Sequence, residues 1–290
     1  MVQKEWPRER GRLFDQAAED YDKVRPTYPG ALVDRALERG RLDAGSRVVE
    51  VGCGPGKLTE LLGRRGLRVD AVDPGRNMIE VARRRVGAAA VEFHVGRFED
   101  VDLPEGAFAG VFSATAFHWV EPEVSWRKAA ALLEPGGLLA LLTHVVVRDE
   151  DSAEVHTALL DVLREYEPEI AAAWPDPRPL EALLAGVAPR NGNASATWDW
   201  LMNEGQHGLE VAAAAELFED VEVATESRTV EETADELVEH FRTTSLCHHL
   251  EPDRREALLE ADRRVVEAHG GTIRSTFAAV LMTARRTPHR

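Results

Sequence analysis

The sequence predicts an α/β protein built on an open, mostly parallel sheet, for three reasons. Between residues 48 and 147, short apolar runs alternate with helical periodicity, a pattern typical of parallel strands covered by helices on both faces. Beyond residue 150, helical stretches follow one another without intervening strands, which indicates an insertion. Strand patterns near 220–230 and at 272–284 then complete the sheet.

The predicted elements of the first half alternate in a regular order. Each crossover between parallel strands is expected to be right-handed. The strands are RVVEV at 47–51, LRVDAVD at 67–73, VEFHVG at 91–96, GVFSATAF at 110–117 and LLALLTHVVV at 138–147. The helices are KLTELLGRR at 57–65, NMIEVARRR at 77–85 and VSWRKAAALL at 124–133, the last of which is followed by the turn EPGG.

The second half is predicted to be mainly helical. Gly270 and Gly271 follow its last helix, as a helix C-cap would. The segment AAWPDPRPL at 172–180 is predicted to be a proline-rich loop or hinge. The helices are predicted near 153–165, 178–188, 207–217, 232–242 and 253–268.

Composition excludes several classes of protein. The net charge of −16 disfavours nucleic acid as a partner, because phosphate contacts need clustered Lys and Arg. Cys53 and Cys247 are the two cysteines, so a disulfide framework is not expected. The chain has no secretory signal pattern at its start and no run near the roughly 18 apolar residues of a membrane span. We therefore expect a cytoplasmic protein without a membrane partner.

Three glycines, Gly52, Gly54 and Gly56, lie between the first strand and the first helix of this pattern. Glycines at such a junction permit a tight turn and let a ligand approach main-chain N–H groups. A dinucleotide-binding loop has the spacing GxGxxG, whereas here Lys57 follows the third glycine directly. The loop alone is therefore a weak signal.

Acidic residues at the ends of the next strands strengthen the signal. Asp73 ends the second strand, where a carboxylate can accept hydrogen bonds from both hydroxyls of a ribose. The third strand is followed by Gly96, Phe98, Glu99 and Asp100, a setting suited to binding an adenine. Phe98 is alternatively a core residue.

These motifs resemble the class I S-adenosylmethionine-dependent methyltransferases. VVEVGCGPGKLTELL at 48–62, AVDPGRNMIEVAR at 71–83, GRFEDVDLP at 96–104 and LLEPGGLLAL at 132–141 are similar to successive motifs of that family, in the same order and strand context. The resemblance covers about residues 10–147. It implies a Rossmann-like sheet of seven strands in the order 3-2-1-4-5-7-6 with strand 7 antiparallel, and a helical cap inserted after strand 5.

The resemblance also implies domains and a cofactor site. It divides the chain into an N-terminal lid at 1–35, a cofactor-binding core at 36–147, a helical substrate cap at 148–217 and C-terminal strands with their helices at 218–290. The glycines would leave room for the methionine part of S-adenosylmethionine, whose product is S-adenosylhomocysteine. The implied cofactor-binding residues are Tyr21, Arg25, Glu50, Gly52, Cys53, Gly54, Gly56, Asp73, Pro74, Met78, Gly96, Arg97, Phe98, Ser113, Ala114 and His118.

Within the family, FDQAAEDYDKVRPTYP at 14–29 and ATAFHWV at 114–120 resemble a branch of trans-aconitate methyltransferase-like and quinone-pathway-like enzymes. In that branch an Asp commonly follows the position of Phe108 and a Gln precedes the Ala-Phe-His-Trp run. Here Ala109 and Thr115 stand at these positions. Thr115 puts the usual contact of that Gln in doubt.

Methyl transfer from a sulfonium needs a base only when the acceptor must lose a proton. His118 and Tyr21 are the predicted catalytic residues, although His118 is alternatively a structural histidine. Tyr21 would close over the methyl group, where its ring favours the sulfonium by cation–π attraction; for Tyr28 packing is the stronger interpretation. Arg25 would pair with the cofactor's carboxylate or anchor the lid to an acidic surface.

Other polar and aromatic residues have weaker interpretations. Trp174, Trp198 and Trp200 would line an acceptor pocket or belong to the core. His248 and His249 adjoin one another and cannot share a helix face, so a metal site with His240 and Cys247 is not expected. Cys53 is interpreted as a small loop residue rather than a nucleophile.

The sequence thus predicts an enzyme that methylates a small molecule, most directly at the oxygen of a carboxylate or hydroxyl. C- or N-methylation of a secondary metabolite, isoprenoid or polyketide remains open, as does a protein that binds S-adenosylmethionine without turnover. A homodimer is expected only from the resemblance to this family.

Overall fold

The computed structural model describes residues 15, 18–87, 89–148, 150–172, 177–203, 210–244, 246–247 and 250–288. Its strands form one sheet of seven in the order β3-β2-β1-β4-β5-β7-β6. The strands are β1 Arg47–Val51, β2 Arg68–Asp73, β3 Val91–Val95, β4 Phe108–Ala114, β5 Leu133–Val147, β6 Phe218–Thr233 and β7 Thr272–Arg286.

The sheet confirms the predicted fold class. Strands β1 to β5 pair in parallel, whereas β7 runs antiparallel to both β5 and β6. The strand order reverses between β1 and β4, and open α/β sheets bind ligands at the carboxyl ends of the strands beside such a switch point. The fold therefore points to the loops that follow these two strands.

Helices cover both faces of the sheet. No helix among the described residues is long and apolar enough to cross a bilayer. The helices are α1 Ala18–Val24, α2 Gly30–Gly40, α3 Lys57–Arg64, α4 Arg76–Val86, α5 Pro122–Leu132, α6 Ala153–Tyr166, α7 Pro168–Ala172, α8 Leu180–Ala185, α9 Ala194–Asn203, α10 Ala214–Leu217, α11 Ala234–Arg242 and α12 Pro252–Ala268.

The structure differs from the prediction at two element boundaries and in one additional helix. The segment EPGG forms part of β5, which pairs with β4 from Leu133 onward across a register shift. The predicted helix at 207–217 is helical only over 214–217 within the described residues, and its first part at 207–209 lies outside them. Helix α9 was not predicted, because SATWDWLMN carries little helical periodicity of polar and apolar residues.

Two large apolar clusters fill the core, one on each face of the sheet. The first contains Trp126 of α5 and Phe218 of β6, and the second contains Leu32 of α2 and Leu62 of α3. Trp198 of α9 is 1% exposed and belongs to the first cluster. Helices α8 to α10 therefore pack against the sheet's own core.

Helix α6 of the insertion packs with two helices that follow β6, on an extension of the sheet. Strand β5 continues for several residues beyond Leu142, the last β5 residue to pair with β4, and there it pairs with β7 alone. A separate apolar cluster joins helices α6, α11 and α12 to this extension, through Leu159, Leu237, Val266 and Ile273 among others. These helices thus gather at the carboxyl edge, next to the switch point, where a substrate cap is predicted.

Candidate functional site

The glycine loop after β1 has the conformation that its sequence requires. Gly52, Gly54 and Gly56 adopt positive φ angles of 68°, 51° and 83°, a region that disfavours side chains. A Cβ on Gly52 would lie 2.3 Å from the Cβ of Ala116, and one on Gly56 would lie 2.9 Å from that of Ala82. A Cβ on Gly54 would meet no atom within 4 Å. Gly54 therefore borders open space, whereas the other two permit close packing.

Asp73 connects this loop to the turn after β2. Its carboxylate accepts hydrogen bonds from the backbone N–H of Gly54 at 2.9 Å and of Gly75 at 2.7 Å. Burial raises the pKa of Asp73 to about 6, and the two backbone hydrogen bonds act in the opposite direction. Because each carboxylate oxygen has further lone pairs, Asp73 retains capacity for other donors.

Glu50 lies beneath the loop, on β1. Its side chain is 1% exposed, and its Oε2 atom has no hydrogen-bond partner among the described residues. Burial raises the pKa of Glu50 to about 8. A buried carboxyl group with an unpartnered oxygen is costly unless a donor or a cation completes it. The structure thus provides an acceptor next to the loop.

Cys53, Pro74 and Met78 complete this part of the site. Cys53 is 4% exposed within the second core cluster, and burial raises the pKa of its thiol, consistent with a packing role rather than that of a nucleophile. Pro74 follows Asp73 and is half-buried. Met78 is buried against Ala18 of α1.

The residues after β3 form a polar turn. The N–H of Gly96 donates to the carbonyl of Asp73 at 3.0 Å. The Arg97 side chain pairs with Glu99, at 2.5 Å. Phe98 is 3% exposed and lies in the first core cluster, with the Lys128 ammonium 5.2 Å from its ring centroid. Phe98 is thus part of the core. The polar turn lies next to Asp73 through the hydrogen bond of Gly96.

The end of β4 lies across the switch point from the glycine loop. The Ser113 hydroxyl donates to the carbonyl of Val51 at 2.7 Å, which joins β4 to the last residue of β1. Half-buried Ala114 ends the strand, and Thr115 follows with a φ of 51°. A β-branched residue with positive φ is strained, and such residues concentrate at functional sites.

Helix α1 is held over the glycine loop by charged contacts. The Asp22 carboxylate binds Arg85 of α4 at 2.5 Å and Lys57 of α3 at 3.2 Å. Arg85 also donates to the carbonyl of Pro55, within the loop, at 3.1 Å. Asp15 accepts from the backbone N–H of Asn77 at 2.8 Å, at the start of α4. Lys57, which breaks the dinucleotide pattern, thus has a structural role in fixing α1.

Arg25 and Tyr28 connect the N-terminal segment to the end of α11 and to β5. Arg25 donates to the carbonyl of Thr243, just after α11, at 2.9 Å. The Tyr28 hydroxyl lies 2.5 Å from the Thr115 hydroxyl, and the Tyr28 ring stacks on His144 with centroids 4.7 Å apart. His144 was not predicted as a site residue, although a histidine within the otherwise apolar run LLALLTHVVV is a signal.

The structure describes the surroundings of one of the two predicted catalytic residues. His118 lies in a single turn of 3-10 helix, Phe117–Trp119, directly after Thr115 and Ala116, and its ring packs against Trp119 at 4.9 Å. Tyr21 belongs to α1, and its side chain lies outside the part of the chain that the structure describes. Their catalytic roles stay predictions.

Several of the aromatic residues and possible metal ligands considered above lie within the described residues. Trp198 lies in the core, and the Trp200 indole donates to the carbonyl of Leu183 at 2.8 Å. His240 contacts Glu232 at 3.3 Å. Trp174, His248 and His249 lie outside the described residues.

One cluster with metal-ligand chemistry occurs among the described residues, formed by Asp70, Glu92 and His94 on β2 and β3. Arg47 donates to both carboxylate oxygens of Asp70, at 2.9 and 3.1 Å. The guanidinium already neutralises this carboxylate, which disfavours a second cation there.

Comparison with known proteins identifies the domain. Residues 49–141 match the family described as methyltransferase domain. An uncharacterized methyltransferase of Mycobacterium tuberculosis is 36% identical over 143 residues, which cover 49% of this chain and 56% of that protein. The malonyl-[acyl-carrier protein] O-methyltransferase of Serratia marcescens is 30% identical over 131 residues, 45% of this chain and 50% of the relative. The matches thus span about half the length of these curated relatives.

A solved structure shares the fold over nearly the whole chain. A proposed type II methyltransferase from Anaeromyxobacter dehalogenans superposes with a TM-score of 0.57 at 23% identity, over 91% of this chain and 99% of the other. Residues 49–141 thus form a methyltransferase domain, and the order of the seven strands is that of the Rossmann-like sheet of class I S-adenosylmethionine-dependent methyltransferases. The narrower branch stays a prediction.

The close approach of Gly52 to Ala116 gives a stability test. We expect Gly52→Ala to lose more stability than Gly54→Ala, because both incur the cost of about 1–3 kcal/mol for a side chain in this conformation and only the first adds a clash. The double variant Gly52→Ala/Ala116→Gly should recover part of the loss. Urea unfolding measures all three, and equal losses in the two single variants would contradict the packing described here.

Proposed function

We propose that the chain transfers a methyl group from S-adenosylmethionine to an oxygen atom of a small-molecule acceptor. The observation that carries the proposal is the juxtaposition of an open glycine backbone at Gly54 with the buried carboxylate of Asp73, at the switch point of a methyltransferase sheet.

The residues present fit this methyl donor. Asp73 would accept hydrogen bonds from the ribose hydroxyls, and the open side of Gly54 would leave room for the methionine portion. The buried oxygen of Glu50 would accept from its ammonium group, directly or through water. The polar turn at Gly96 and Arg97 would border the adenine, and Ser113 and Ala114 would close the site from β4.

Methyl transfer requires mainly that the acceptor be aligned with the methyl group. The sulfonium supplies an already activated methyl group, so the protein must hold the acceptor oxygen in line with it. Such positioning can contribute roughly 7–11 kcal/mol at most. Helix α1 and the helices of the sheet extension would enclose the acceptor and exclude water, and their attachment beside the glycine loop and at the carboxyl edge supports this role.

An oxygen acceptor is favoured by the named relative, whose acceptor is a malonyl group on a carrier protein. The strongly negative charge of this chain favours a free small molecule over an acidic protein carrier. The cytoplasmic location and the homodimer stay predictions.

The ribose assignment predicts a specific loss of affinity. Asp73→Asn should weaken binding of S-adenosylhomocysteine by about tenfold or more, because an amide oxygen replaces a carboxylate as the acceptor. Wild-type affinity should also fall as the pH drops through about 6, where Asp73 becomes protonated. Titration calorimetry measures both effects.

Asp70→Asn is the matched control, since Asp70 is a buried carboxylate on the same strand that faces Arg47. It should lose stability and keep its affinity. Undiminished affinity in Asp73→Asn would contradict the assignment.

Transfer itself is tested with S-adenosylmethionine labelled in its methyl group. We expect label in products of small acids, phenols or alcohols, and at oxygen when the products are analysed by mass spectrometry. Label only at carbon or nitrogen would contradict O-methylation, and tight donor binding without transfer to any acceptor would indicate a binding protein.

A further inference from the structure

His144 is a polar residue in an apolar strand, and the mechanism above does not use it. It lies on β5 two residues beyond Leu142, whose carbonyl accepts from the backbone N–H of Thr115 at 2.8 Å. Because alternate residues of a strand share a face, His144 and Leu142 project from the same side of the sheet. His144 is therefore at the carboxyl edge, just past the point where β4 ends.

A short chain of contacts joins His144 to the glycine loop. Its ring stacks on Tyr28 at 4.7 Å with an interplanar angle of 27°. The Tyr28 hydroxyl bonds the strained Thr115, and the next residue, Ala116, packs against Gly52. Through Tyr28 and Thr115, His144 is thus connected to the glycine loop, which is proposed to hold the methionine part of the donor.

The surroundings keep this ring neutral. Burial and the nearby Arg25 guanidinium together lower the pKa of His144 to about 4, and a hydrogen bond with the backbone of Thr27 acts in the opposite direction. A neutral imidazole has one nitrogen that donates and one that accepts. If the donor is directed to a carbonyl, the other nitrogen can accept a proton.

Among the described residues, Arg25 is the charged group that acts on the ring. Arg25 and Tyr28 face it from the N-terminal segment. On the sheet, His144 pairs with Ala279 of β7, which carries no charge, and Glu226 pairs with Ala279 from the far side, one strand away. His144 is half-buried, so part of its surface stays exposed.

We propose that His144 takes the proton from an acceptor hydroxyl as its oxygen attacks the methyl group. The inference rests on the proposed function and narrows it to acceptors with an O–H group. In the step, the acceptor O–H bond breaks and its proton goes to the imidazole; an O–C bond forms, and the C–S bond breaks with its electron pair remaining on sulfur. The positive charge lost by the sulfonium appears on His144, so the site acquires no net charge.

The activity test uses matched acceptors. The probes are 3,4-dihydroxybenzoate, a set of aliphatic hydroxy acids, and the corresponding methyl ethers, which keep the carboxylate and lack the hydroxyl. We expect label transfer to the hydroxyl compounds alone and a loss of about 10²-fold or more in His144→Gln. His269→Gln is the control, because His269 lies at the end of α12 and bonds its own helix.

A second readout is independent of turnover. Diethyl pyrocarbonate modifies neutral, accessible imidazole nitrogens, and peptide mass mapping locates the product. At about pH 5, below the ordinary histidine pKa near 6.5, His144 should still react, because burial and Arg25 lower its pKa to about 4. S-adenosylhomocysteine together with 3,4-dihydroxybenzoate should slow the modification of His144.

The outcomes separate this inference from the proposed function. Full turnover in His144→Gln, transfer to the methyl ethers, or an unreactive His144 would overturn the role of His144 and leave methyl transfer intact. Absence of transfer to every acceptor by the wild-type protein would overturn both.

Discussion

The site depends on one interaction, the pair of hydrogen bonds that the Asp73 carboxylate accepts from the backbone of Gly54 and Gly75. Parallel strands bring β1 and β2 to the same edge of the sheet, where the N–H groups of Gly52 and Cys53 donate to the carbonyl of Val72. The buried Asp73 carboxylate extends this connection to the turn after β2 and helps to fix the shape of the glycine backbone. Burial of this charge is costly, and the two backbone donors offset part of that cost.

The helices around the site are attached to this edge of the sheet by contacts outside the glycine loop. Asp22 holds α1 to Lys57 and Arg85, on the helices that follow β1 and β2. On the opposite side, the extended part of β5 with β7 and β6 supports the helices α6, α11 and α12. Arg25 connects the two sides through its hydrogen bond to Thr243. Helix α1 is thus attached to the sheet edge through charged contacts, whereas α6, α11 and α12 pack on the extension of the sheet through an apolar cluster.

The sequence predicted the local features well, because their physical causes are local. Glycines with positive φ and an acid at the end of a strand can be recognised from neighbouring residues, and the strand order followed from the family resemblance. Contacts between residues far apart in the chain were not predictable in this way. The contact of Tyr28 with His144 depends on how the N-terminal segment folds back onto the sheet. For Trp198 the sequence offered both a core position and an acceptor pocket, and the fold of the insertion places it in the core.

The most direct measurement is a crystal structure of the protein with S-adenosylhomocysteine. The account predicts both ribose hydroxyls within about 3.2 Å of the Asp73 carboxylate, with the homocysteine part passing over Gly54. The account would be contradicted by a ligand bound elsewhere, or by a glycine loop that rearranges so that Asp73 no longer contacts Gly54 and Gly75.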